Sequence, residues 1–217
     1  MEQHGLTPKQ KLIFQELALD DFFTSKFYLT GGTALSAFYL HHRESEDLDF
    51  FSEKPFLQES VTSRLSLLGK KHDFTMTIRQ IENVTIYVLT FHDGDILKID
   101  FVDYPHKRLF ESLTVDNFQI DAMNDIAVNK LLTIMQRTTS KDFVDLYFLL
   151  HVYSEWDLIT GLEKKFNVET DQFLLASDFS KVDKLETLPL MLKPLSLSHL
   201  QTFFREKAKE LARKSVI

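Results

Sequence analysis

The chain has 217 residues, 44% of them hydrophobic and 26% charged, with a formal net charge of −7 and no Cys. That length can bury a core in one domain or in two small ones, and the missing thiols exclude disulfide frameworks, thiolate zinc sites, iron–sulfur clusters and Cys nucleophiles. An acidic balance excludes binding to a polyanion through bulk charge, so any nucleic-acid contact needs a local patch or a metal. The first residues carry no apolar run of signal-peptide type, and the longest apolar segment, 143–152, is interrupted by Asp145 and His151. No membrane segment and a cytoplasmic location are therefore expected.

In chain order, Thr7 with Gln10 reads as a capping box with Pro8 in the first turn, opening a helix that runs to about Phe23. A short strand is predicted over 26–30, stopped by Gly31-Gly32, and a helix over 33–40 starts directly after the glycines. A second strand over 47–52 and an amphipathic helix over 56–68 follow. Three β-rich runs, 74–81, 84–91 and 96–102, are separated by the turn signals Glu82-Asn83 and Asp93-Gly94.

After Pro105 the apolar period changes from two to near 3.6. Helices are expected from Asp121 or Asn124 to about 135–137, from Ser140 to Val152, around 156–166 and 171–179, and from Ser198 to about Lys214. The fold class is therefore α+β, with a mixed sheet and flanking helices in residues 1–117 and a helical bundle in 118–217. The acidity belongs to the first part, with 12 Lys/Arg against 18 Asp/Glu in residues 1–117 and 13 against 14 thereafter.

Three features of the first part carry chemistry. In a strand, residues i and i+2 share a face, so Asp47 and Asp49 project together while Leu48 and Phe50 point to the core. Such a pair, completed by Asp100 from a neighbouring strand, makes an oxygen-rich site suited to two Mg²⁺ ions, with Mn²⁺ as an alternative. Asp103 shares the face of Leu97, Ile99 and Phe101, which favours Asp100 as the third carboxylate. Gly31-Gly32 lets a backbone approach phosphate, and Thr33 adds a hydroxyl at the following helix start. Arg43 and Ser45 could supply further phosphate or ligand-positioning contacts. A site of this kind holds an NTP in line with an attacking hydroxyl.

The run LTGGTALSAFYLHHRESEDLDFFS resembles the opening motif of the AbiEii/AbiGii nucleotidyltransferase toxins, a branch of the DNA-polymerase-β-like nucleotidyltransferase superfamily. Fourteen residues, Thr33 to Glu46, separate the diglycine from the D-x-D pair, at the long end of the superfamily range. The segments 130–137 and 141–147 resemble that family's Lys-bearing helix and R-x-x-x-K-D-x-x-D-L stretch. The resemblance implies Asp47, Asp49 and Asp100 as metal ligands, Lys130 as a triphosphate contact and Asp142 as a further active-site carboxylate, with the helical half completing the cleft. Lys130 and Arg137 stand two helical turns apart on one stripe, and two cations on an apolar stripe require a buried or bound anion. Arg137 is accordingly expected to help bind nucleotide, with Asp145 as its alternative structural partner.

The resemblance further implies a type IV toxin whose acceptor is RNA, at the 3′ end of tRNA, with NTP as substrate and a cognate antitoxin protein as partner. Modification of a protein hydroxyl, or nucleotide or partner binding without turnover, are the rival readings. The 8 His show no metal-ligand spacing, and His41-His42 are expected at an exposed helix end. The 20 Phe recur at core spacing and read as packing rather than base stacking. The basic face of the last helix reads as solvated, with contact to RNA backbone as the alternative.

Overall fold

A computed structural model describes residues 5–214. Its elements fall into two compact units, the first formed by residues up to 39 with 45–107 and 111–122, the second by 40–44, 108–110 and 123 onward.

In the first unit, helix α1 (Pro8–Ala18) starts on the expected capping box. Thr7 Oγ1 accepts from the Gln10 amide and the Gln10 side chain accepts from the Thr7 amide. The helix does not continue to Phe23. Asp20 caps a separate helix, α2 (Asp21–Lys26), by accepting the Phe22 amide at 2.8 Å, and a side chain that binds backbone in this way ends one helix to start another.

Among the described residues seven strands form one mixed sheet in the order β3-β4-β5-β2-β1-β7-β6. They are β1 (Tyr28–Thr30), β2 (Leu48–Ser52), β3 (Phe74–Ile81), β4 (Val84–Phe91), β5 (Ile96–Asp103), β6 (Leu113–Val115) and β7 (Phe118–Ile120). β1 runs antiparallel to β2 and parallel to β7, and β2 runs parallel to β5. Helix α3 (Gly31–Leu35) follows β1 and passes into a π-helical turn, Ser36–Leu40; α4 (Gln58–His72) follows β2.

One face of the sheet is a packed aromatic core. Phe50 and Phe101 stack with ring centroids 5.3 Å apart, and Phe23, Phe27 and Tyr87 lie within 6 Å of Phe101. Each buried Phe contributes about 1.5–3 kcal/mol, so these rings serve the core, as their spacing suggests.

The hairpin β6–β7 straddles the expected boundary between residues 117 and 118. It turns on Asp116 and Asn117, both at positive φ, 48° and 64°. Asp and Asn tolerate that conformation better than most side chains, and it matches the twist of a two-residue hairpin. Because β7 pairs with β1, the chain leaves the first unit at Ala122 rather than at residue 117.

The second unit holds α5 (Met123–Gln136), α6 (Ser140–Leu149), α7 (Glu155–Phe166), α8 (Gln172–Ser180), a 3₁₀ turn (Lys181–Lys184) and α9 (Leu197–Lys214). Phe143, Phe179 and Phe204 meet at 5.0–5.3 Å in its centre. Asp125 and Lys165, both fully buried, pair at 2.7 Å, and Asp125 also accepts the amides of Leu109 and Phe110, which fastens residues 108–110 to this unit. Among the described residues no helix is long and apolar enough to cross a membrane.

Candidate active site

The carboxylates of the first unit are set by strand register. Leu48, Phe50 and Ser52 of β2 are buried while Asp49 faces outward, and the same alternation on β5 buries Ile99 and Phe101 and turns Lys98 and Asp100 the other way. In the parallel β2–β5 pair Asp49 lies directly beside Asp100 and Leu48 beside Ile99, which brings Lys98 next to Asp47. On the far side of β2, Thr30 pairs with Asp49. The diglycine that follows Thr30 therefore abuts the same carboxylate. Gly31 has φ +73°, and a Cβ there would collide with Asp49 Oδ2, so the glycine is needed both for its backbone conformation and for that approach.

Thr33, expected to meet phosphate, is buried and donates its hydroxyl to the main-chain oxygen of Asp47. It ties the start of α3 to the entry of β2, which fixes where Asp47 stands. The main-chain oxygen of Ser45 accepts from Gln10 Nε2 at 2.8 Å, a further tie on the same approach.

The ammonium of Lys98 stands between two of the carboxylates, 2.7 Å from Asp100 Oδ2 and 3.5 Å from Asp47 Oδ2. Burial alone would lower the Lys98 pKa, but Asp100, Asp47 and Asp49 outweigh it and raise it above the usual lysine value. Burial raises the Asp100 carboxyl above the usual range, Lys98 offsets part of that, and Asp47 adds to it. Asp100 Oδ1 is buried without a hydrogen-bond partner. Lys98 carried no role in the sequence reading, although its i, i+2 spacing to Asp100 already placed it on the acidic face.

These donors fit a hard divalent cation. They are carboxylate oxygens on one face, and one buried oxygen is unpartnered. Among the described residues no three acidic or imidazole groups stand together in metal-binding geometry, and the Lys98 ammonium takes up part of the space a cation would need.

In the second unit a buried ionic cluster gathers the remaining predicted residues. Arg43 is 1% exposed and forks onto Asp145, with Nε 2.6 Å from Oδ1 and Nη2 2.8 Å from Oδ2, while Nη1 donates to the Glu44 carbonyl oxygen. Its guanidinium is thus committed within the protein and not displayed to phosphate. Lys130 lies 2.8 Å from Asp142 Oδ1 and 2.7 Å from Asp145 Oδ2. Arg137 reaches Asp142 at 2.8 Å, and Thr139 donates to the same carboxylate. The anions that two cations on one stripe require are therefore Asp142 and Asp145, and Arg137 pairs with Asp142.

His42 is fully buried, not at an exposed helix end, with Nε2 2.7 Å from Asp145 Oδ1. Burial lowers its pKa, which Asp145 only partly restores. Burial would raise the Asp142 and Asp145 carboxyls, but Lys130, with Arg137 at the former and Arg43 at the latter, more than reverses this. Asp142 is lowered to about 2, and Asp145 is held far below the usual carboxylate range.

A mixed sheet that sets a D-x-D pair in register with a third carboxylate beside a diglycine turn defines a nucleotidyltransferase fold. Solved structures share this fold: JHP933 from Helicobacter pylori has a TM-score of 0.58 at 22% identity over 97% of this chain and 94% of its own. The nucleotidyltransferase toxin MenT4 of Mycobacterium tuberculosis has a TM-score of 0.56 at 16% identity over 92% and 82%. The chain belongs to the AbiEii nucleotidyl transferase toxin family of type IV toxin–antitoxin systems, whose model matches residues 12–213. An uncharacterised protein of Aquifex aeolicus is 33% identical over 192 residues, spanning 85% of this chain and 87% of the relative. The protein is accordingly a nucleotidyltransferase.

Proposed function

We propose that the chain moves a nucleoside monophosphate from an NTP onto a hydroxyl of RNA, at the 3′ end of tRNA, and that it acts as the toxin of a pair whose antitoxin protein is encoded alongside it. The observation that carries this reading is the register of β2 on β5, which sets Asp49 beside Asp100 with Asp47 on the same face. The acceptor oxygen attacks the α-phosphorus, the bond from that phosphorus to the bridging oxygen of the β-phosphate breaks, and pyrophosphate leaves. Asp47 and Asp49 would hold Mg²⁺, with Mn²⁺ as a substitute. Bound there, the metal supplies Lewis-acid polarisation and neutralises charge on the phosphates.

The chain's own residues supply position. Gly31 and Gly32 keep side chains away from the phosphates, and Thr33 holds Asp47 in place through its main-chain oxygen. Asp100, whose buried carboxyl is raised above the usual range, suits the removal of the acceptor's proton. On the family resemblance, Lys130, Arg137 and Asp142 are proposed to serve the triphosphate as well, and since Lys130 and Arg137 both pair with Asp142, any variant there has to be read beside a stability measurement. A cytoplasmic setting, where NTP and tRNA are abundant, fits the reading.

Purified protein with Mg²⁺, labelled NTPs and total tRNA should transfer label to RNA, and Asp49→Ala should abolish transfer. Label on protein and not on RNA would redirect the acceptor. No transfer to either, with NTP binding intact, would sink the enzymatic assignment of this site.

A further inference from the structure

Lys98 stands among the carboxylates without a part in the transfer described above. It is a single positive charge shared between Asp100 of β5 and Asp47 at the entry to β2, and Asp49 also contributes to its field. Its side chain is 36% exposed, against 15% for Asp100. A four-carbon stem with an open side can withdraw its ammonium toward solvent without moving either strand.

We infer that Lys98 is a tethered counter-ion that holds the carboxylate face in the absence of a divalent cation, and that it has to leave before one can enter. The inference rests on the reading of Asp47, Asp49 and Asp100 as the metal-holding set. With no cation bound, Asp47 and Asp100 would repel one another, and Lys98 neutralises that repulsion. The same ammonium competes with any cation for Asp100 Oδ2. Lys98 therefore lowers the affinity of the bare site for free metal. A cation that arrives with a triphosphate has an advantage, because the phosphates offer the displaced ammonium a new anion.

The test uses the full chain and Mn²⁺ alone, with free Mn²⁺ followed by electron paramagnetic resonance. Removing one partly exposed charge beside two carboxylates should tighten Mn²⁺ binding about five- to tenfold in Lys98→Met, while Lys98→Arg should remain within about twofold of the parent. In chelator the Met variant should melt below the parent, and saturating Mn²⁺ should close that gap. A purely structural lysine would not give tighter metal binding on removal. Should Lys98→Met not fold in chelator, Lys98→Gln is compared in the same way.

Mn²⁺ binding that Asp49→Ala abolishes, but that is equal or weaker in the folded Lys98→Met or Lys98→Gln variant, overturns the role of Lys98 and leaves the metal site standing. Absence of Mn²⁺ binding in every form overturns the metal site, and this inference with it.

Discussion

Arg43 and Asp145 are 102 residues apart in sequence and form a two-pronged ion pair at 2.6 and 2.8 Å with both side chains almost fully buried. The pair anchors a short run, 40–44, to the helical unit. Around it, Glu44 donates its amide to the Leu190 carbonyl oxygen, and the amides of Leu192 and Lys193 donate to that of His42. A charge that looks available in the sequence is thus consumed in fastening two distant segments.

Breaking this pair should be costly. Arg43→Met leaves Asp145 short of one of its cations, and Asp145→Ala leaves Arg43 and Lys130 buried without that anion, so each should lose about 3–5 kcal/mol in urea denaturation. Arg137→Ala, whose side chain is 62% exposed, should lose about 1 kcal/mol or less. Equal losses for Arg43 and Arg137 variants would contradict the placement.

Gly31→Ala tests the approach of the diglycine turn to the carboxylates. Strain at φ +73° should remove about 1–2 kcal/mol, and the displaced Asp49 should cost most of the transfer activity. Gly94 also has positive φ, +89°, but nothing lies near a Cβ there. Gly94→Ala should therefore lose comparable stability and keep its activity, measured on the same labelled-NTP assay.

Asp100 and Asp103 separate by face. Asp100 shares the outward face with Lys98, and Asp103 lies on the alternate face with Ile99 and Phe101. Asp100→Asn should slow transfer on the order of a hundredfold or more, whereas Asp103→Asn should leave kcat within about threefold of the parent by the same face argument. Comparable losses in both would show that register alone does not select the reacting carboxylate.

Stability should fall on acidification. The folded carboxyl of Asp142 is lowered to about 2 and that of Asp145 is lowered further, so their contribution is complete above the unfolded value near 4 and is lost as pH falls through the folded one. Buried His42 resists the proton that the unfolded chain accepts near pH 6.5, which also removes stability below that pH. Urea midpoints measured from pH 8 to 3 should decline from about pH 6.5 and steepen below about pH 5, with Asp142 alone accounting for about 1 kcal/mol by pH 3. A midpoint that rises between pH 7 and 5 would contradict the assignment of His42, and one that rises between pH 5 and 3 would contradict that of the carboxylates.

Much of the site is legible in local pattern. Asp47 and Asp49 alternate with Leu48 and Phe50, so their shared face follows from the two-residue period of a strand, and Lys98 with Asp100 obeys the same rule. Thr7 with Gln10 marks a helix start because both partners of the cap lie within four residues. The hairpin on Asp116-Asn117 was not expected, because its three-residue strands are too short to show a period. The break between α1 and α2 turned on whether Asp20 would bind backbone or face solvent, which apolar spacing does not reveal.

By itself the sequence determined the strand faces, the capped start of the first helix, the acidic character of the site and, through its motifs, the nucleotidyltransferase family. Those depend on contacts within a few residues, where chain geometry leaves few choices. The tertiary structure decided partners. It set Asp49 beside Asp100, gave Arg43 and His42 to Asp145 and Arg137 to Asp142, and put the Lys98 ammonium among the carboxylates. A charged side chain takes the counter-charge that folding brings within reach, and which one that is depends on strand register and helix packing over separations of up to about a hundred residues.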